Sequence, residues 1–134
     1  MYMYKSLLVL AAIYLGVIGL SLVLVPVQFG VDAVPEDATP QLISLLRLLG
    51  GPMLGIAVLN WMARRAAPTA IRDTVLLANL VGFGVVAAND VWGVATGEAR
   101  DLAKLFLLVH LAFVAAFGTA WVRAGRNRLP AVRG

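Results

Sequence analysis

Four apolar stretches of roughly bilayer-spanning length follow one another along this chain, and little else lies between them. They cover about residues 7–25, 41–62, 74–95 and 102–122. Each has close to the ~20 residues that a helix needs to cross a hydrocarbon core. In lipid no water is at hand for the backbone, so its N–H and C=O groups must pair within each segment, which makes these segments helices. No strand-like alternation of apolar and polar residues is visible in them. The expectation is an all-α fold: an antiparallel bundle of four transmembrane helices in a single membrane domain.

Composition supports lipid as the solvent. The 134 residues are 61% hydrophobic and 13% charged, against roughly 45–50% and about 25% in a soluble domain. The chain has no cysteine, which excludes disulfides, thiolate metal sites, iron–sulfur clusters and a catalytic thiol. The pI near 10.1 would fit a nucleic-acid partner only if the basic residues shared a solvated face with aromatics. They sit at membrane edges instead, so no nucleic acid is expected.

Short links make successive helices antiparallel neighbours. "PVQFGVDAVPEDATP" reads as a true loop, "ARRAAPTAIRD" as a short basic link, and "TGEARD" as a tight turn whose Asp101 is placed to cap the fourth helix. The tail at 123–134 reads as flexible and basic. The first span is longer than a signal-peptide core and lacks a small-x-small site after it, so it is expected to stay uncleaved. Lys5, Arg64, Arg65, Arg72, Arg123, Arg126, Arg128 and Arg133 fall on one side of the membrane. Arg100 and Lys104 fall on the other, with Asp32, Glu36, Asp37, Glu98 and Asp101. By the positive-inside rule both termini are cytoplasmic, in a bacterial inner membrane.

The second span holds an anomaly. In "LISLLRLLGGPMLGIAVLNWMARR" the guanidinium of Arg47 lies about six residues inside, or roughly 9 Å at 1.5 Å per residue. Asp90 lies about five residues from the end of the third span, at nearly the same depth, with Asn89 beside it. His110, the one histidine of the chain, is slightly deeper in the fourth span and within reach of Asp90. An isolated charge at mid-bilayer costs about 2.5–3.5 kcal/mol on insertion scales, so an Arg47–Asp90 ion pair is expected. Two readings stand side by side. The pair locks helix register, or Arg47 snorkels to the headgroups, as ordinary structure. Alternatively Arg47, Asp90, Asn89 and His110 line a ligand or proton site.

Pro52 removes a helical hydrogen-bond donor, and Gly50 and Gly51 permit the bend that follows. Gly51-x-x-x-Gly55 offers a surface for close helix approach, with Ala78, Gly82 and Gly84 as a complementary one. Close packing is the commoner use of such a motif; a broken helix beside an ion site is the rarer one. Asn60 and Asn79, near the cytoplasmic edge, are candidates for a bond between spans two and three. Phe106, His110, Phe113 and Phe117 share one stripe of the fourth span, read as core or lipid-facing packing. One histidine can ligate haem once but not twice, no metal-ligand set is present, and no catalytic constellation is visible. No cofactor is expected, with quinone and haem as the remote cases, and no catalytic residue is assigned. No internal repeat of the inverted-transporter kind is visible.

The stretch "LLRLLGGPMLGIAVLNWMARR", with its Arg, its Gly-rich step and its closing Trp-x-Ala-Arg, followed by Asn79, resembles a pattern in small bacterial membrane proteins of uncharacterised role. The four-helix layout is similar to the broad DoxX-like group. That resemblance implies an accessory part beside a quinone-linked oxidoreductase. The functional expectation is therefore an accessory or assembly subunit of a membrane complex, lipid-embedded, with a homo-oligomer or a membrane enzyme as partner. The alternatives are a small carrier or proton-coupled permease using the Arg/Asp/His site, and a quinone- or lipid-binding subunit of an oxidoreductase.

Overall fold

The computed structural model describes residues 2–66 and 70–126, with side chains from 4–66 and 71–126. The described residues are helical apart from short links, and no strand occurs among them. α1 spans Tyr2–Leu24, the one-turn α2 spans Pro26–Phe29, α3 spans Pro40–Ala63, α4 spans Ala70–Thr96 and α5 spans Leu102–Arg126. The four long helices are each long and apolar enough to cross a membrane, so the chain is a multi-pass membrane protein in contact with lipid. The helices overrun the apolar stretches at charged ends. α4 takes in Arg72 and Asp73 in its first turns, and α5 continues through Arg123 to Arg126. Arg123 and Arg126 are exposed, and long basic side chains reach the headgroups from such positions while the backbone stays helical; Arg72 is nearly buried and pairs with Asp73 at 3.4 Å. The rest of the expected flexible tail lies outside the described residues.

Two compact units divide the chain, Met1–Arg64 and Arg65–Gly134. Each contains one antiparallel helical hairpin.

In the first hairpin α1 packs on α3. Gly16 faces Ala57, Gly19 faces Leu54 and Gly50, and Leu22 and Val23 face Gly50. The numbering rises on one helix as it falls on the other, so the helices are antiparallel. The backbones come close where two glycines meet. A Cβ on Gly50 would stand 2.6 Å from the carbonyl oxygen of Gly19, and one on Gly19 would stand 3.0 Å from the carbonyl oxygen of Gly50. Small residues at a membrane helix interface serve this purpose, because lipid supplies no hydrophobic drive to hold helices together. Gly51 and Gly55, by contrast, have nothing within 4 Å of an added Cβ. Within this hairpin the close approach runs through Gly50, and the Gly51/Gly55 face is turned away from α1. α3 starts cleanly: the Thr39 hydroxyl accepts from the Leu42 N–H at 3.3 Å, and Pro40 occupies the first turn, where its missing N–H costs nothing. The helix continues unbroken through Pro52. At its far end the Arg64 guanidinium lies 3.7 Å from the centroid of the Trp61 ring and donates to the Trp61 carbonyl. An aromatic ring and a basic head at a helix end are the usual furniture of a membrane interface.

In the second hairpin α4 packs on α5. Leu80 faces Gly118, Phe83 faces Phe113 and Phe117, and Asp90 faces His110, again antiparallel. Gly97 closes the turn with φ of +75°, a conformation that glycine adopts without strain. The Ala99 N–H donates back to the Gly93 carbonyl at 3.0 Å. Asp101, expected to cap α5, turns its carboxylate to Lys104 Nζ at 2.9 Å instead. That is a charge-assisted bond, and it wins over a neutral backbone donor.

Candidate functional site

The seam of the second hairpin explains how a carboxylate and an imidazole come to meet. On α5, Phe106, His110, Phe113, Phe117, Ala120 and Ala124 recur at steps of four and three. On α4, Leu76, Asn79, Phe83, Ala87 and Asp90 recur likewise. Mixed steps of three and four keep one stripe of each helix facing its partner. Leu76, Asn79, Phe83, Ala87, His110, Phe117, Ala120 and Ala124 are all buried. Asp90 and His110 are simply the members of these stripes nearest the α4–α5 turn.

His110 Nδ1 and Asp90 Oδ2 lie 2.5 Å apart, and their side chains are only 9% and 13% exposed. When the carboxylate is ionised it can only accept, and Nδ1–H then donates. The contact fixes the ring orientation. Aromatic rings enclose the imidazole. Phe106 stacks at 6.1 Å and 19°, and Phe83 leans at 6.0 Å and 41°. Phe83 continues into Phe113 at 4.4 Å and Phe117 at 5.7 Å, so the pair caps a column of stacked rings. At the turn end, Arg100 places its guanidinium carbon 5.9 Å from the Phe106 ring centroid. A carboxylate beside an imidazole is a pairing suited to proton transfer, and here it is set among aromatic rings. Among the described residues no group of three or more His, Asp or Glu could hold a metal ion.

The other expected site residues are placed as follows. Asn89 is exposed, on a face of α4 turned from the pair by its one-residue offset. Arg47 belongs to the first unit. It is exposed on α3 and lines an open recess with Pro40, Gln41, Ser44, Leu45 and Leu48. Gly51, Pro52 and Gly55 are exposed farther along the same helix, and Gly50 is buried against α1. Asn60 is fully buried on α3, while Asn79 donates from Nδ2 to the Val75 carbonyl at 2.8 Å.

Phe83 is the residue that the sequence reading passed over. It lies in a uniformly apolar part of its span, where periodicity is silent. The available signal was its seven-residue interval to Asp90, two helical turns along one face.

No protein-family model matches the chain, and no curated protein or solved structure matches it.

Proposed function

We propose that this chain is an accessory subunit of a larger complex in a bacterial inner membrane, with both termini in the cytoplasm. Its second hairpin supplies that complex with a proton-accepting pair. The observation that carries the reading is the Asp90–His110 hydrogen bond at 2.5 Å, buried on facing helices. Ionisable residues inside a span are rare and tend to mark proton relays or ligand sites. A carboxylate–imidazole pair is suited to passing a proton, which suits a subunit that serves another protein's reaction. Each unit is only a two-helix hairpin, and large apolar side chains stand exposed along all four long helices. Lipid or a partner helix must cover them. The open Gly51 and Gly55 positions favour a helix of the partner, or of a second copy, seating on α3.

A second reading has its own support. The Phe106 and Phe83 rings beside the imidazole suit a flat, weakly polar ligand of the quinone kind, with His110 as its hydrogen-bonding group. This would make the chain the quinone-binding member of an oxidoreductase.

The test is purification from native membranes in mild detergent, for the wild type and for His110→Gln. The expected result is a stoichiometric larger partner in both preparations, with the complex's proton-coupled turnover lost in the variant. Bound quinone that disappears with His110→Gln would select the second reading. Recovery of the chain alone, active as a proton-coupled carrier in liposomes, would overturn the accessory role.

A further inference from the structure

We propose that Arg47, Ser44 and Gln41 form a headgroup site on α3 that holds the phosphate of a membrane phospholipid. The inference is independent of the His110 pair and rests on the first unit alone. Arg47 is exposed on a helix long and apolar enough to cross a bilayer. Among the described residues of its own unit the guanidinium makes no ion pair or hydrogen bond. In water that would be unremarkable. The solvent of a membrane helix is lipid, Arg47 is turned off the α1–α3 seam of its own unit, and it stands about seven residues, or about 10 Å, from the start of α3. A charge at that depth needs an anion or polar partners. The anion that this solvent carries is the phosphodiester at the headgroup level.

Direction and neighbours both fit. Helical Cα–Cβ bonds tilt toward the helix N-terminus, so Arg47 leans toward the start of α3. Gln41 and Ser44 lie along that path, exposed and lining the same open recess as Arg47. The three residues recur at intervals of three, which puts them on one side of the helix. Together they offer a planar guanidinium fork, an amide NH2 and a hydroxyl. Phosphate oxygens accept from all three, and the fork matches them in bidentate fashion. Pro40, Leu45 and Leu48 complete the recess with an apolar surface for the glycerol and the first acyl methylenes. Snorkelling alone would need only the arginine. Two further donors in register make this a site.

The experiment is native mass spectrometry of the full chain in detergent micelles. The probes are phosphatidylglycerol, phosphatidylcholine and diacylglycerol with identical acyl chains. Adducts are expected with both phospholipids and not with diacylglycerol. Arg47→Met should lower them about tenfold, the equivalent of one charge-assisted hydrogen bond or more. Arg47→Lys should fall between, because an ammonium supplies charge without the fork. The double variant Gln41→Ala with Ser44→Ala leaves the charge in place and should lower the adducts by a smaller factor. That variant carries the test if Arg47→Met does not fold. Unchanged adducts in both Arg47→Met and the double variant would overturn the site. Equal retention of diacylglycerol would also overturn it, as would an equal loss in Arg64→Gln at the other end of α3. Displacement of the lipid by millimolar inorganic phosphate would assign the recess to a soluble anion and overturn the lipid.

Discussion

The two hairpins are built from helices of similar length and similar greasiness, yet they are joined by opposite means. In the first, backbones touch: Gly19 and Gly50 bring two main chains together, and the charged residue of the span, Arg47, is left on the outside. In the second, side chains fill the seam: a column of phenylalanines ends in a buried Asp90–His110 bond. Lipid is as apolar as leucine, so neither hairpin gains from hiding hydrocarbon. Each must find another source of attraction, either close van der Waals contact through small residues or polar bonds across the interface. The lesson is that chemistry follows the mode of packing. A seam that admits large side chains can bury an acid and a base, whereas a glycine seam expels them to the surface. For this reason the proton-handling proposal belongs to the second hairpin and the lipid proposal to the first.

The largest effect expected from breaking this contrast comes from one added methyl group. Gly50→Ala places a Cβ 2.6 Å from the Gly19 carbonyl oxygen and 2.7 Å from a Val23 methyl. Backbone cannot yield cheaply, so the first hairpin should lose about 2–3 kcal/mol, the upper part of the overpacking range. The neighbouring change Gly51→Ala meets nothing within 4 Å. It should be neutral, or stabilising by up to about 1 kcal/mol through helix propensity. Reversible unfolding in mixed micelles measures both. Equal responses from the two adjacent glycines would refute the glycine seam.

A middle-sized effect is expected from the polar glue of the second hairpin. A double-mutant cycle over Asp90→Asn and His110→Gln should return a coupling of about 1 kcal/mol, given that membrane-protein side-chain bonds average about 0.6 and reach about 1.7 kcal/mol. Coupling near zero would reduce the pair to two side chains that merely share a level. The same cycle between Arg47 and Asp90 tests the ion pair expected from their equal depth. Coupling confined to His110 would leave the carboxylate to the imidazole alone.

How far these features were legible before the structure follows from what sequence patterns encode. The four helices could be read because the bilayer sets a length and forbids unpaired backbone. Their ends could not, because hydropathy sees where the grease stops. A helix carries on through Arg123 and Arg126 because their heads reach water or headgroups, and through Arg72 and Asp73 because the two charges pair with each other. Depth counting placed Asp90 and His110 on nearby levels, since rise per residue is a fixed quantity. It said nothing of Phe83, whose burial depends on which stripe of a uniformly apolar helix turns inward. The glycines are a similar case. Gly51-x-x-x-Gly55 has the familiar spacing, but which glycine meets which helix depends on rotation, and within the first hairpin α1 meets Gly50.

The smallest effect lies at the turn of the second hairpin, outside the seam. Asp101 is fully exposed, and its hydrogen bond from Lys104, with the attraction of the ammonium, holds its carboxyl below the ordinary value of 3.8. A carboxyl depressed on folding contributes stability that is fully present above its unfolded value and is lost as pH falls through the folded one. The advantage of wild type over Asp101→Asn should therefore be constant above about pH 5 and fade below about pH 4. At high salt it should shrink at every pH, as exposed ion pairs do. Thermal unfolding in detergent, scanned in pH at low and at molar salt, reads the difference directly. If the advantage persists to low pH, or is indifferent to salt, Asp101 is acting through the geometry of the turn rather than through its charge.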